Sequence, residues 1–501
     1  MRKNNYLLFD TATGKYLFDS GTSMIFAVDD ILLDVIESFN DFDDKIQLKE
    51  ILLEKYGNEK KIDSAIKFII DCSKIKESLW LEESVRTEKL EKAQKFDCSI
   101  IKSVQESGDL WQLILNVTEN CNMRCKYCYL SEEYEFTRNR TSHMMDFQTA
   151  KKTLDLFFEK QRIVKQQNPG KAVGISFYGG EPLLNLDLIK RCVEYTKNNC
   201  PLKFNFYITT NGTLLKDDVV DYLVENNFSI FISLDGNKND HDRNRVDANG
   251  RGTYDRIAKN IERLAERYPE YLYKVGILGV HDLQTNLVEN ANYFEKNNSI
   301  RVMLLSAVLA NNTHYYERFS EDDRKKFTDN YLSLLLDYTR KKIDGKTPSS
   351  YTCSMFDPLI YSVIGRLGAN EYRYPFLPYT SACVPGSKMS VRVDGKIDVC
   401  EKMNYSFPIG DVNKGFDYEK MMEMMQQYNS EIGEKCKVCP ISKYCPTCYA
   451  NCSGEHEFKA NRCNDIIMNF KDALSITITI LENNPTALDS FGFKEEWLIN
   501  G

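Results

Sequence analysis

Two hydrophobic rhythms divide the chain. Between 111 and 346, short apolar runs at 113–117, 174–178, 204–209, 230–234, 275–279 and 302–305 have the length and content of buried strands. Longer stretches between them, at 145–164, 186–199, 217–226, 254–267, 287–296 and 322–342, repeat apolar positions with a helical period. Regular strand–helix alternation predicts a parallel α/β architecture, and six such units make a partial (β/α)6 barrel. Upstream, 6–9, 15–18 and 24–28 read as short strands, with a hairpin turn at Thr11-Ala12-Thr13-Gly14, and 31–39, 48–56 and 62–75 as amphipathic helices. These make a small separate unit, 1–95. The charged, helical stretch 83–107 reads as a connection, with the linker proper at 96–110. Beyond Pro348 the alternation stops, 366–385 shows no period, and a cysteine-rich extension occupies 347–501.

Polar motifs sit where the strands end. Cys121, Cys125 and Cys128 follow the first strand of the alternating region, and Tyr178-Gly179-Gly180-Glu181-Pro182 follows the second. Thr209-Thr210-Asn211-Gly212 follows the third, and Ser233-Leu234-Asp235-Gly236 ends the fourth. The carboxyl ends of successive strands are where barrel enzymes assemble their sites. Three thiolates spaced C-x3-C-x2-C can ligate three irons of a [4Fe–4S] cube and leave the fourth open, and an open metal position is where a substrate or cofactor binds. A zinc knuckle or three unrelated thiols are the alternatives; zinc takes four ligands, and no local His or Cys completes the set. Gly179 and Gly180 are expected to let backbone approach a ligand closely.

Composition narrows the function. A chain of 501 residues, 42% hydrophobic and 28% charged, is an ordinary globular protein of two or three domains. The net charge of −8 and the lack of a Lys/Arg block argue against nucleic acid. No apolar run approaches the ~18 residues a membrane span requires, and no signal peptide is evident at the N-terminus, so a cytoplasmic location is expected. Sixteen cysteines without an export signal point to metal ligation rather than disulfides.

The Cys121/Cys125/Cys128 triplet, with Tyr127 before its last thiol, resembles the signature of the radical S-adenosylmethionine (SAM) superfamily. The resemblance implies that the open iron chelates SAM, that one electron cleaves it to methionine and a 5′-deoxyadenosyl radical, and that this radical abstracts a substrate hydrogen. Tyr178, Gly179, Gly180 and Glu181 match the second motif of the family, with Glu181 accepting from the SAM ammonium. Asn211, Ser233 and Asp235 are implied near the ribose and methionine moiety, Arg245 near the SAM carboxylate with Arg243 a weaker rival, and 276–280 as the adenine-binding strand. All of these equally serve as turn or core residues.

The tail resembles the SPASM extension, which implies two auxiliary [4Fe–4S] clusters and three in all. Cys383, Gly395 and Cys400 keep its spacing, followed by Cys436, Cys439, Cys445, Cys448, Cys452 and Cys463. Cys436, Cys439, Cys445 and Cys463 are implied to hold the second auxiliary cluster. The first takes Cys383, Cys400 and one of Cys448 or Cys452, because this chain has a thiol more than the pattern; Cys353 is its doubtful remaining ligand. A zinc ribbon at Cys436, Cys439, Cys445 and Cys448 is the alternative. Glu401 stands where sulfatase-maturing relatives carry an Asp base, which makes it the catalytic candidate; hydrogen bonding near the cluster is its simpler role. The first unit resembles the PqqD-like winged-helix domains that hold a leader peptide as an added strand, a DNA-binding winged helix or a packing domain being the alternatives.

Together these resemblances imply a radical SAM peptide maturase. It would modify a ribosomally made precursor peptide by C–H abstraction, with thioether cross-linking first among the outcomes. Carbon–carbon bond or ring formation, epimerisation and the maturation of anaerobic sulfatases are the competing outcomes, and a non-catalytic peptide-binding or zinc-ribbon scaffold is the rival of another class. The expected partners are the precursor peptide and a reductant such as flavodoxin or ferredoxin, with neither nucleic acid nor membrane.

Overall fold

The computed structural model of the chain describes residues 6–39, 41–42, 44–73, 83–106, 110–167, 169–170, 173–366 and 374–491. The first unit is an antiparallel sheet in the order β1 (Tyr6–Asp10), β2 (Lys15–Asp19), β3 (Ile25–Val28), followed by α1 (Asp30–Ser38), α2 (Lys45–Tyr56) and α3 (Glu59–Ser73). Local chemistry sets the boundaries. Thr11 N–H donates to Gly14 O at 2.9 Å to close the first hairpin. The Asp29 and Asp44 side chains cap α1 and α2, and Gly57 ends α2 at φ 64°. Leu17, Val35, Leu48, Ile62 and Ile69 give this unit a core of its own. Residues 74–75 of the expected third helix, and the Cys72 side chain, lie outside the described residues.

Helices α4 (Glu83–Gln94) and α5 (Cys98–Glu106) follow. The stretch expected as a linker contributes Phe96, Ile101 and Leu110 to the main core; its residues 107–109 lie outside the described part.

The main sheet holds the six expected parallel strands in chain order: β4 (Gln112–Thr118), β5 (Gly174–Gly179), β6 (Asn205–Thr210), β7 (Ser229–Ser233), β8 (Val275–His281) and β9 (Arg301–Ala307). The crossovers carry α6 (Phe147–Gln167), α7 (Leu186–Asn199), α8 (Asp217–Glu225), α9 (Lys238–Asn244), α10 (Tyr254–Arg267) and α11 (Leu287–Lys296). Along β6 and β7 the pleat alternates Phe206, Ile208, Ile230 and Ile232, buried in the main core, with half-buried Tyr207, Thr209, Phe231 and Ser233 on the other face. β9 pairs only with β8 among the described strands, so the barrel stays partial.

Beyond β9 the alternation continues further than the sequence suggests. After α12 (Glu321–Ile343) and α13 (Ser350–Ile364), β10 (Lys388–Val391) joins the sheet parallel to β4. Antiparallel β11 (Lys396–Asp398), β12 (Gly410–Asp411) and β13 (Gly415–Phe416) extend it, and α14 (Tyr418–Cys436), α15 (Tyr449–Cys452) and α16 (Cys463–Asn483) complete the tail. An internal Pro358 and polar residues mask the periodicity of α13, and β10 is only four residues long. Asn116 Nδ2 donates to Val391 O at 3.0 Å and to Ser390 Oγ at 3.1 Å, which fastens the tail beside the strand that carries the cysteine triplet. No helix among the described residues is long and apolar enough to cross a membrane.

Arg392 and Asp398 clamp the β10–β11 hairpin through two bonds of 2.6 Å, with the carboxylate fully buried. Arg392→Ala strands that carboxylate and is expected to lower stability by roughly 3–5 kcal/mol. Replacing both residues by apolar ones of similar volume is expected to restore most of the loss. Anaerobic urea melts of the two variants check both outcomes.

Candidate active site

The triplet lies in the loop that leaves β4, against the carboxyl ends of β5 to β8. Its thiols are partly covered, and all three are free of disulfides. Burial pushes Cys121 up to about 11 and Cys125 up to about 12, and raises Cys128 as well. Such thiols give up their protons when a metal takes them. Among the described residues, no three His, Cys, Asp or Glu side chains gather to hold one metal ion. Three thiols in one short loop supply the donor chemistry that an iron–sulfur cluster takes.

Several residues expected to touch a ligand are engaged by the protein. A Cβ on Gly179 would come within 2.3 Å of Thr118 O, and one on Gly180 within 2.2 Å of Asn120 O. On their side-chain faces these glycines thus admit the backbone of the triplet loop. Glu181 is fully buried and accepts from Thr210 Oγ1 (2.7 Å), Asn211 N (2.7 Å) and Leu183 N (3.1 Å), so its carboxylate ties the end of β5 to the end of β6. Asn211 Nδ2 donates to Asn122 Oδ1 at 2.9 Å and approaches Cys121 Sγ at 3.8 Å, while its Oδ1 accepts from Thr213. Asp235 accepts from Arg245 Nε at 2.9 Å, from Val280 N at 3.0 Å and from the Tyr127 hydroxyl. Through Val280, the strand expected to face adenine is part of this node.

Two of the expected residues keep polar groups without a partner among the described residues. Arg245 is buried over the Tyr127 ring, 5.5 Å from its centroid, and its terminal nitrogens bond to no described residue. A guanidinium held by Nε alone presents its other two nitrogens to a carboxylate. The Ser233 hydroxyl, half-buried at the end of β7, likewise bonds to no described residue. Arg243, the rival of Arg245, is spent on Asp240 and, at 2.7 Å, on Asp282.

Sequence reasoning missed the groups that hold this arrangement. His241 is fully buried, and burial lowers it to about 4. Its Nδ1 accepts from Asp235 N at 3.4 Å, its Nε2 meets Thr253 Oγ1 at 3.1 Å, and that hydroxyl donates to Arg245 O at 2.9 Å. The neutral ring thus steadies both members of the Asp235–Arg245 pair. The HDRNR run carried no signal for this, because the spacing of His241 from Asp235 matches no ligand pattern.

A second group faces the tail. Glu401 Oε2 is buried without a hydrogen-bond partner, and the Glu401 carbonyl accepts from Arg138 Nη2 and, at 3.5 Å, from Tyr129 Oη. Burial first, then the Glu401 charge, pushes the Tyr178 hydroxyl up to about 12. Tyr129 and Arg138, unmarked by any motif, therefore surround the catalytic candidate together with Tyr178.

The tail thiols fall into two neighbourhoods. Burial, then Cys439, Cys445 and Cys463, raise Cys436. Burial pushes Cys400 up to about 12, with Glu401 and Cys448 adding to it, and Tyr449 feels both Cys383 and Cys448. Cys452, 1% exposed, is raised by burial first and then by Cys448, Cys445 and Cys463, and it acts on Cys436 in turn. Cys353 sits apart on α13: its Sγ donates to Pro348 O at 3.6 Å, and its charged neighbours are Asp357, Lys342 and Arg301.

Residues 115–290 match the family model of the Radical SAM superfamily. The chain carries a radical SAM domain. It is 27% identical to the cysteine-type anaerobic sulfatase-maturating enzyme of Clostridium novyi (strain NT) over 368 residues, 70% of this chain and 89% of that one. It is 30% identical to the radical SAM cyclopropyl synthase TigE of Paramaledivibacter caminithermalis over 172 residues, 33% of this chain and 35% of that one. The solved structure of native anSMEcpe with bound AdoMet and Cp18Cys peptide shares the fold, with a TM-score of 0.56 at 21% identity over 75% of this chain and 99% of that one. The protein is a radical SAM enzyme. The superfamily implies SAM and a [4Fe–4S] cluster, and the open triplet with the two free Arg245 nitrogens fits both.

Burial raises Glu181 from its ordinary 4.5 to about 7. Between these values the native state keeps a proton that the unfolded chain has lost, so folding stability is expected to fall as pH rises from about 4.5 to about 7. Glu181→Gln removes that titration. Because an amide cannot accept all three bonds, the variant is also expected to be less stable by roughly 1–3 kcal/mol at low pH. Urea midpoints of wild type and variant should converge as pH rises; a constant difference would refute the assignment.

Proposed function

We propose that this radical SAM enzyme modifies a ribosomally made precursor peptide, holding the leader on the β3 edge and the core between the barrel and the tail. The observation that carries the reading is the N-terminal unit. β3 is an outer strand with no partner on its far side among the described strands, and its Phe26 ring meets Phe68 of α3 edge-on at 5.2 Å. A strand edge next to a helix takes an extended peptide by backbone hydrogen bonds. The relatives support the substrate class: anSMEcpe is known with a peptide bound.

SAM and its cluster, when bound, supply the radical that removes a substrate hydrogen. Arg245 and Ser233 would hold the polar ends of SAM, with Asp235, Asn211 and Glu181 fixing them from behind. Cys383, Cys400 and Cys448 form a three-thiol set in this reading, with Cys353 too remote to complete it. A three-thiol set has room for one more sulfur, and a cysteine of the peptide is the ligand of matching chemistry. The product is then a thioether: a C–H and an S–H bond are replaced by C–S. The hydrogen atom would go to the deoxyadenosyl carbon, the thiol proton to a base such as Glu401, and the one remaining electron to an oxidised [4Fe–4S] cluster that the tail thiols would hold. Carbon–carbon ring formation is the second reading, favoured by the 30% identity to a cyclopropyl synthase.

Coexpression with adjacent small reading frames under anaerobic conditions tests the function, with a peptide lighter by two hydrogens and one fewer alkylatable thiol as the expected product. SAM cleavage with no change in any peptide would refute it. Replacing Cys121, Cys125 and Cys128 together with Ala is expected to abolish 5′-deoxyadenosine formation while tail iron remains. Cys353→Ala and Cys452→Ala are expected to leave the iron content unchanged, whereas Cys448→Ala lowers it. Iron loss in Cys452→Ala would close the first set and remove the preference for a thioether.

A further inference from the structure

The N-terminal unit does not hang free. Its β2–β3 turn is seated on the loop between Cys439 and Cys445. Asp19, 1% exposed, folds the turn by accepting from Gly21 N at 2.9 Å and from the Thr22 hydroxyl at 2.6 Å, and Asp19 N donates to Met24 O at 2.9 Å. Ser23 is fully buried at φ 66°, a left-handed backbone that a serine adopts only when its surroundings impose it.

Those surroundings come from the tail. The Ser23 hydroxyl shares a hydrogen bond with Tyr444 Oη, Lys443 Nζ donates to Gly21 O at 3.1 Å, and Arg366 Nε donates to Ser23 O at 2.9 Å. Arg366 is itself buried and has no carboxylate partner among the described residues; its other bond is to Val363 O at 2.8 Å. A buried guanidinium satisfied only by carbonyls is an expensive way to hold a turn, and it fixes the position of Ser23 O. Beneath it, Phe18 packs edge-on against both Tyr444 and Phe470, each at 5.3 Å, and Tyr444 stacks on Phe470 at 5.4 Å.

Two sites thus meet at one strained turn. On one side Met24 runs directly into β3, the edge offered to a peptide. On the other side Lys443 and Tyr444 immediately precede Cys445, a thiol of the second tail group. We infer that the Asp19–Met24 turn is a latch coupling the order of the β3 edge to metal loading at Cys436, Cys439, Cys445 and Cys463. Ligation fixes the 439–445 loop, the fixed loop holds Ser23 in its left-handed state, and the turn holds β3 in register. The coupling is reciprocal, so whatever orders the edge also favours the loaded loop. The enzyme would accept its peptide only once the tail is matured. This inference rests on the proposed second auxiliary cluster and on the β3 edge as the peptide site.

Hydrogen exchange with mass spectrometry tests it on the full chain, without needing the peptide. The anaerobically reconstituted protein is compared with the same protein after iron chelation. Segments covering 19–28 are expected to exchange about fivefold or more slowly when loaded, in the usual range of coupling between sites, while α1 and α2 stay unchanged. Tyr444→Phe keeps the ring stack and removes the hydroxyl; it is expected to retain its iron and lose most of that protection. Exchange at 19–28 indifferent to loading, or full protection in Tyr444→Phe, overturns the latch. Iron and sulfide analysis of a Cys436→Ala/Cys439→Ala variant separates the two levels: unchanged iron sinks the cluster reading, and the latch with it.

Discussion

The Asp235 carboxylate is the node on which the site depends. It is 2% exposed and joins three segments distant in sequence: the hydroxyl of Tyr127 inside the triplet, Arg245 after α9, and the backbone of β8 at Val280. Polar oxygens this deep need partners, and here a cation and two further donors supply them on both oxygens. Meeting that demand fixes the cysteine loop to the sheet and leaves Arg245 with two nitrogens pointing onward. The His241–Thr253–Arg245 chain holds the same residue from its backbone side. The site is therefore preorganised by neutral and charged groups that fix Arg245 and the triplet loop.

A second constraint is where the tail attaches. Because β10 pairs with β4, the strand that launches the triplet also carries the tail, and Asn116 reinforces the junction from the β4 side. The Arg392–Asp398 clamp then turns the chain so that Cys400 and Glu401 follow within three residues. Tyr129, one residue beyond Cys128, reaches the Glu401 carbonyl across this junction. Tyr129 from the triplet loop and Glu401 from the tail thus meet at this junction. Strand pairing places the two segments side by side.

Much of this was legible in the residues. The strands and helices of the alternating region fall where apolar periodicity puts them, because each strand is buried and each crossover helix has one covered face. The motifs fall at strand ends for the same reason. What could not be read was satisfaction. Glu181, Asn211 and Asp235 are residue types that bind ligands, yet their lone pairs and protons are taken by Thr210, Thr213, Tyr127 and backbone amides. The Gly179-Gly180 pair signals a close approach, and on its side-chain faces the fold brings in the triplet loop. Cys353 counts as one thiol among sixteen in the sequence, and only the direction of α13 separates it from the rest. Partner choice at this level depends on which segments the fold brings together, and a single sequence carries no record of that.

The proposed division of labour has a physical logic. Strand addition on β3 relies on backbone hydrogen bonds, which tolerate many side chains, so it supplies affinity without dictating the residue to be modified. A core peptide tethered by such a leader meets the barrel at an effective concentration of order millimolar for a short flexible connection. The barrel mouth then needs only weak, local recognition of the reacting residue, which suits a site built mostly from SAM-holding groups and a few tyrosines. In this proposal the two demands on the molecule are separated: the reactive end could remain close to that of relatives such as the sulfatase-maturating enzymes, while substrate choice would be carried by the N-terminal unit. That independence would be a liability if the unit could dock a peptide before the tail held metal. The strained Ser23 and the buried Arg366, placed at the junction of the two, are what would remove it.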